Sequence, residues 1–140
     1  MVYELIVNYA LSLADMVKAG AYDWFSSDVN EGNFPKMGEG EVPVSAELIH
    51  FNKYTSSEGA VTEMGGLGFR PATIHELLAF GQKYPNVQRE FPIIALGSSC
   101  EIVSVCLVAY LDKEGSKRLL RLHWSGDSWD DDCRFLAVRK

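Results

Sequence analysis

Residues 68–83 read GFRPATIHELLAFGQK and carry the strongest local structural signal in the chain. The Thr73 hydroxyl is placed to accept a hydrogen bond from the Glu76 amide while the Glu76 side chain reaches back, which is the capping-box pattern of a helix start. Apolar residues then follow with helical spacing. The stretch therefore predicts an amphipathic helix over residues 74–83.

Alternating or apolar segments on both sides of this helix predict strands. Residues 2–9 alternate with the period of two that is typical of a strand with one face in the core. Residues 93–96 and 101–111 are apolar on both faces, as in central strands that are covered on both sides. The other predicted strands are residues 42–51, 119–124 and 134–140.

Two shorter helices are predicted before residue 74. Ser12 with Asp15 resembles a capping box and opens a helix that ends at Gly20, and Thr55 with Glu58 opens a helical turn that ends before the Gly65-Gly66 pair. The connection over residues 22–40 has no sustained period. We expect it to lie on the surface, held by Trp24, Phe25 and Phe34.

Length and composition indicate one domain over residues 1–140. The chain has 140 residues with 47% apolar residues, enough for one core, and the order of predicted elements places it in the α+β class. Thirteen basic and nineteen acidic residues leave a net charge of −6, which disfavours nucleic acid as a partner.

The expected location is the cytoplasm. No apolar stretch is long and uninterrupted enough for a membrane span, and no secretory signal is recognisable at the N-terminus. Three cysteines without CxxC spacing favour a reducing compartment. Surface display by another route stays open.

Residues 124–133 read WSGDSWDDDC, with four aspartates and two tryptophans in ten positions. Aspartate oxygens are ligands that Ca²⁺ prefers, but the spacing is not that of an EF-hand. The alternatives are a metal-dependent (Ca²⁺) binder or small enzyme using residues 127–132, a solvated acidic loop, and a recognition surface of rigid aromatic and short polar side chains. A nucleophile and base pair of Cys133 and His123 has no local support.

Residues 68–78 together with the tail at 120–140, LRLHWSGDSWDDDCRFLAVRK, resemble C-type lectin-like domains of the formylglycine-generating-enzyme type. Within that superfamily the tail resembles the variable-region end of proteins diversified by diversity-generating retroelements. The resemblance implies a C-type lectin-like fold with two main helices and a mixed, mostly antiparallel sheet. It also implies that the first strand pairs with the last.

The same resemblance implies a non-enzymatic ligand-binding protein without cofactor or metal, whose variable region covers about residues 117–140. In such proteins a reverse transcriptase randomises adenines in a template copy, so that the side chains that contact the partner can be exchanged. The expected partner is a macromolecule, and we expect it to be a protein. The implied ligand-binding residues are Arg121, His123, Ser125, Gly126, Asp127, Ser128, Asp130, Asp131, Asp132 and Cys133. The implied scaffold residues, which would point into the core, are Leu120, Leu122, Trp124 and Trp129.

Two departures limit what the resemblance carries over. The reactive cysteine pair of formylglycine-generating enzymes is missing, since only Cys133 falls in the terminal region, and its acidic neighbours would raise the pKa of its thiol. The Glu-Pro-Asn-type calcium motif of lectins is also absent. Neither oxidase activity nor sugar binding is therefore implied.

Overall fold

The predicted helix over residues 74–83 is present as α3 (Ile74–Lys83) and begins with a complete capping box. The Glu76 amide donates to Thr73 Oγ1 at 3.2 Å, and the Thr73 amide donates to Glu76 Oε1 at 2.9 Å. Arg70 adds two hydrogen bonds to the same carboxylate, at 2.9 and 2.7 Å. Because the Glu76 side chain is almost fully buried, this pairing satisfies a charge that would otherwise be costly to bury.

The computed structural model describes residues 1–140 as an α+β fold. Two further helices are α1 (Leu13–Ala19) and α2 (Ser57–Gly66), so that α2 and α3, with ten residues each, are the longer ones. A single 3₁₀ turn covers Val87–Arg89. The ten strands are β1 (Val2–Asn8), β2 (Trp24–Phe25), β3 (Glu41–Ile49), β4 (Thr55–Ser56), β5 (Phe69–Pro71), β6 (Ile93–Ile102), β7 (Val105–Glu114), β8 (Lys117–Trp124), β9 (Ser128–Trp129) and β10 (Arg134–Arg139).

The main sheet is mixed and mostly antiparallel, which confirms the predicted class. Its strands lie in the order β1-β3-β10-β6-β7-β8-β2, and β5 pairs with the second half of β10. Only the β10–β6 and β2–β8 pairs are parallel. Strands β4 and β9 form a separate two-stranded sheet.

The predicted pairing of the first strand with the last is wrong. Strand β3 lies between β1 and β10 and pairs with both in the antiparallel sense. Tyr3 and Val138 therefore flank the same residue, Ala46, from opposite sides. The two terminal strands are neighbours of one strand rather than of each other.

Both faces of the sheet are covered, and alternate residues of the central strands enter different cores. Leu136 and Val138 of β10 pack with α1 and α3 in the larger core, whereas Phe135 and Ala137 pack with α2 in a smaller second core. The second core also contains Trp129 and Cys133, which lie outside the main sheet. The segment before β10 is thus part of the wall of this second core.

Two details of the connections differ from the prediction. Residues 101–111 are not one strand, because Val103 and Ser104 form a two-residue turn between β6 and β7, with φ of 49° and 62°. Within residues 22–40, Phe34 is buried as expected, but Trp24 and Phe25 are about half exposed. No helix has the length and apolar character needed to cross a membrane.

Candidate functional site

Residues 125–133, named the acidic loop from here on, connect β8 to β10 and are fastened to α2. Strand β9, inside the loop, pairs with β4, which directly precedes α2. The Trp129 indole nitrogen donates to Ser57 Oγ at 2.9 Å, and Ser57 Oγ donates to the Ser125 carbonyl at 2.6 Å. The loop backbone is therefore held at its beginning and at its middle.

The far end of the loop is held by a second set of contacts. His50 Nε2 lies 2.6 Å from the Asp131 carbonyl oxygen, and the Asp132 amide donates to Asp130 Oδ1 at 3.0 Å. Trp129 is only 5% exposed and occupies the second core together with Cys133. The acidic loop thus has a fixed backbone with a buried inner side.

Cys133, one of the predicted ligand-binding residues, is buried and is not displayed on the surface as predicted. Its side chain is 6% exposed, and its thiol donates to Asp130 Oδ1 at 3.3 Å. Burial, followed by the hydrogen bond and charge of Asp130, raises the pKa of the Cys133 thiol to about 12. A thiol held protonated in this way is a poor nucleophile or metal ligand.

The other predicted ligand-binding residues are all at least partly accessible to solvent. Within the acidic loop only Trp129 and Cys133 are buried. The exposed residues are Arg121, Gly126, Asp127, Ser128, Asp130, Asp131 and Asp132, and the partly exposed ones are His123 and Ser125. These nine residues are named the recognition face below.

The four predicted scaffold residues differ in burial. Leu120 and Trp129 are buried, and Leu122 packs against the larger core, as expected. Trp124 is 53% exposed, so its predicted core position is wrong. It ends β8 beyond the core, and its indole lies over Gly126, where an added Cβ would come within 2.5 Å of the ring. A side chain at position 126 would have to displace this indole.

Charges on the recognition face are partly paired within the protein. His123 Nε2 lies 3.0 Å from Asp127 Oδ2, and the Ser128 amide donates to Asp127 Oδ1 at 2.9 Å. The hydrogen bond from His123, followed by that from the Ser128 amide, lowers the pKa of the Asp127 carboxyl. Arg121 Nη1 lies 3.6 Å from Asp112 Oδ2 on the neighbouring strand.

Tyr110 and Asp112 of β7 belong to the site and were missed by the sequence analysis. In the β7–β8 register Tyr110 is opposite Arg121 and Val108 is opposite His123, so alternate residues of both strands share one face of the sheet. The pairing register was the missing information. The alternation of β7 indicates which of its residues share a face, but not which residues of β8 lie beside them.

A pocket of about 290 Å³ opens between these strands and the acidic loop. Its walls come from β7, β8, the acidic loop and the segment before β6. The lining residues are Pro92, Tyr110, Asp112, His123, Ser128, Trp129, Asp130 and Cys133. Concave sites with a few polar groups among aromatic walls are the usual setting for a bound ligand.

The aspartates of the loop do not converge on one point. Asp127 turns towards His123, and Asp130 turns one oxygen back into its own loop. No group of three or more His, Cys, Asp or Glu side chains is arranged to hold a metal ion.

No protein-family model matches the chain, and no curated protein or solved structure matches it either.

Proposed function

We propose that the chain is a non-enzymatic ligand-binding protein whose recognition face binds a macromolecular ligand, a protein, and whose residues 117–140 are diversified by a retroelement. The proposal includes the C-type lectin-like fold and a cytoplasmic location for the chain. Its motif support is the helix start at residues 68–78 together with the tail at 120–140. The three cysteines, none of which is in a disulfide, suit a reducing compartment.

One observation carries the proposal: nine accessible positions lie on a backbone that is held from behind by buried residues. Trp129 and Cys133 fill the second core, and hydrogen bonds to Ser57 and His50 fix the loop from outside. Solvent-facing substitutions usually change stability by less than about 0.5 kcal/mol. Such a surface can change its specificity while the fold stays the same.

The charge of the face indicates the kind of protein that this variant binds. Asp127, Asp130, Asp131 and Asp132 are all exposed, and only Arg121 and His123 on the face carry basic groups. We therefore expect a partner with a basic surface, whose association slows as salt screens the attraction.

The genomic locus provides the first test. We expect a reverse-transcriptase gene nearby and a near-copy of the codons for residues 117–140 that differs from them only at adenines. The codons for Trp124 and Trp129, TGG, contain no adenine and should be identical in the copy. A locus without a template copy would remove the retroelement part of the proposal.

A displayed library provides the second test. The nine positions are randomised together, and variants are selected for binding to immobilised proteins of basic and acidic surface. A matched library randomises exposed positions of the β1–β3 face, such as Glu4 and Ser45. We expect folded variants in both libraries but specific binders only from the recognition face. Equal yields of binders from both libraries would contradict the proposed site.

A further inference from the structure

We propose that the pocket beside the acidic loop binds one cationic side chain, an arginine or a lysine of the protein ligand, and that three of its eight lining residues lie outside the diversified segment. The inference rests on the proposed function, since it names what that recognition face takes from its partner. The pocket walls include three aromatic rings, two carboxylates and one proline, which belong to Tyr110, His123, Trp129, Asp112, Asp130 and Pro92.

Three aromatic rings pack against each other at the pocket. The ring centroids of Tyr110 lie 6.0 Å from those of both His123 and Trp129, and the His123 and Trp129 centroids lie 5.2 Å apart. The rings are tilted or edge-to-face relative to one another, and all three residues line the pocket. A cation within about 6 Å of such ring faces is attracted by their π-electrons.

Two carboxylates at the pocket keep the capacity to accept hydrogen bonds. Asp112 Oδ2 forms an ion pair with Arg121 Nη1 at 3.6 Å, a separation too long for a hydrogen bond, so the carboxylate can still accept one. Asp130 uses Oδ1 for the Asp132 amide and the Cys133 thiol, while its Oδ2 has no partner within the protein. A guanidinium or ammonium group placed between them would form charge-assisted hydrogen bonds.

The size of the pocket fits one side chain. Its volume of about 290 Å³ is just below the range of roughly 300–1,000 Å³ that is usual for pockets holding whole small-molecule ligands. Arginine suits the shape best, because a planar guanidinium stacks on a ring while its edge donates to carboxylates.

The residues that line the pocket come from both sides of residue 117. Three of the lining residues precede residue 117, namely Pro92, Tyr110 and Asp112, and five follow it, namely His123, Ser128, Trp129, Asp130 and Cys133. Diversification of the tail would therefore leave unchanged the ring of Tyr110, the carboxylate of Asp112 and, because its codon contains no adenine, the ring of Trp129. We infer that every variant keeps a basal preference for a basic residue, which the exchangeable side chains strengthen or weaken.

The test uses the full chain and a small probe, so that it needs no identified ligand. N-acetyl-arginine methylamide is titrated into ¹⁵N-labelled protein, and N-acetyl-citrulline methylamide serves as the uncharged analogue of the same shape. We expect saturable shifts at the amides of Tyr110, His123 and Asp130, and affinity for the citrulline probe about tenfold lower. Equal affinity for the two probes, or no saturable shift at these residues, would overturn the proposal.

Two charge variants locate the binding. Asp112→Asn should lower the affinity for the arginine probe about tenfold, since it removes a carboxylate from the pocket wall. Asp131→Asn makes the same change of charge on the same surface, outside the pocket, and should change the affinity less than about twofold. An equal loss in both variants would show diffuse attraction and overturn the pocket. Asp130→Asn repeats the test at the second carboxylate of the pocket.

The outcome is separable from that of the proposed function. A silent titration with binders still selected from the displayed library would remove the pocket and leave the recognition face. Probe binding without such binders, and without a template copy at the locus, would leave the cation pocket and remove the diversified function.

Discussion

The Trp129 indole nitrogen donates a 2.9 Å hydrogen bond to Ser57 Oγ, which joins the middle of the acidic loop to the first residue of α2. The same hydroxyl donates to the Ser125 carbonyl at 2.6 Å. One serine side chain thus connects two points of the loop to a helix that is not part of the tail. The fixed backbone of the recognition face depends on this contact.

Replacing Ser57 by alanine should therefore destabilise the protein. The variant leaves the indole N–H of Trp129, which is almost fully buried, without its acceptor, and we expect the free energy of unfolding to fall by about 1–3 kcal/mol. Urea denaturation measures the change. Ser116→Ala, at an exposed turn, is the control and should stay within about 0.5 kcal/mol of the parent. Similar free energies of unfolding for the two variants would show that the contact does not stabilise the protein.

The aspartates of the recognition face should differ in their effect on stability. Asp131→Ala removes an exposed carboxylate whose side chain makes no hydrogen bond, so we expect a change below about 0.5 kcal/mol. Asp130→Ala removes the acceptor of the Asp132 amide and of the Cys133 thiol and should cost about 1 kcal/mol. Thermal or urea unfolding of the two variants makes the comparison. A larger loss at Asp131 than at Asp130 would contradict it.

Cysteine labelling should distinguish the three thiols. Cys106 is exposed, whereas Cys100 and Cys133 are buried, and burial raises the pKa of both buried thiols. Since the thiolate is the reactive form, iodoacetamide at pH 8 should modify Cys106 first and leave Cys133 unmodified in the native protein. Peptide mass spectrometry reads the sites, and labelling in urea, where all three should react, is the control. Modification of Cys133 as fast as of Cys106 would show that the loop opens readily.

His75 should make the stability depend on pH. Its ring is 3% exposed, packs on Tyr9 and has no partner at Nδ1. Burial first, and then Lys36, lower its pKa below the ordinary 6.5, while Glu76 and Glu31 act in the opposite direction. The unfolded chain then binds this proton before the folded one does. The free energy of unfolding should fall as the pH drops below 6.5, by no more than about 1.4 kcal/mol per pH unit from this group.

The variant His75→Gln isolates that contribution. Carboxylates also change stability in acid, so the useful quantity is the difference between parent and variant across pH 4–8 in urea unfolding. We expect the difference to vary with pH below 6.5 and to level off above it. A difference that is constant over the whole range would refute the role of His75.

Local signals made much of the fold predictable, and tertiary pairing explains the failures. The Thr73 and Glu76 capping box depends on residues three apart, so the sequence contains all of it. The insertion of β3 between β1 and β10 depends on which edges meet in space, which no local pattern specifies. The turn at Val103-Ser104 was missed because neither residue is the Gly or Asn that such positive φ values favour.

The exposed residues of the candidate site could be predicted from the sequence, but its buried cysteine and its contribution from β7 could not. Runs of aspartate favour solvent, and the exposed positions of the acidic loop follow from that. The burial of Cys133 and the exposure of Trp124 were not predictable, because both depend on where the second core ends. Tyr110 and Asp112 join the site only through the register of β7 with β8.

The central position of β10 has a consequence for how the protein is made. Until residues 134–139 have been synthesised, the sheet has an empty place between β3 and β6, with one unpaired strand edge on each side of it. A shift of reading frame or a stop codon anywhere in the acidic loop would leave that place empty, and chains that cannot complete their fold are the ones that proteases degrade. Only chains translated in frame through β10 would then complete the sheet.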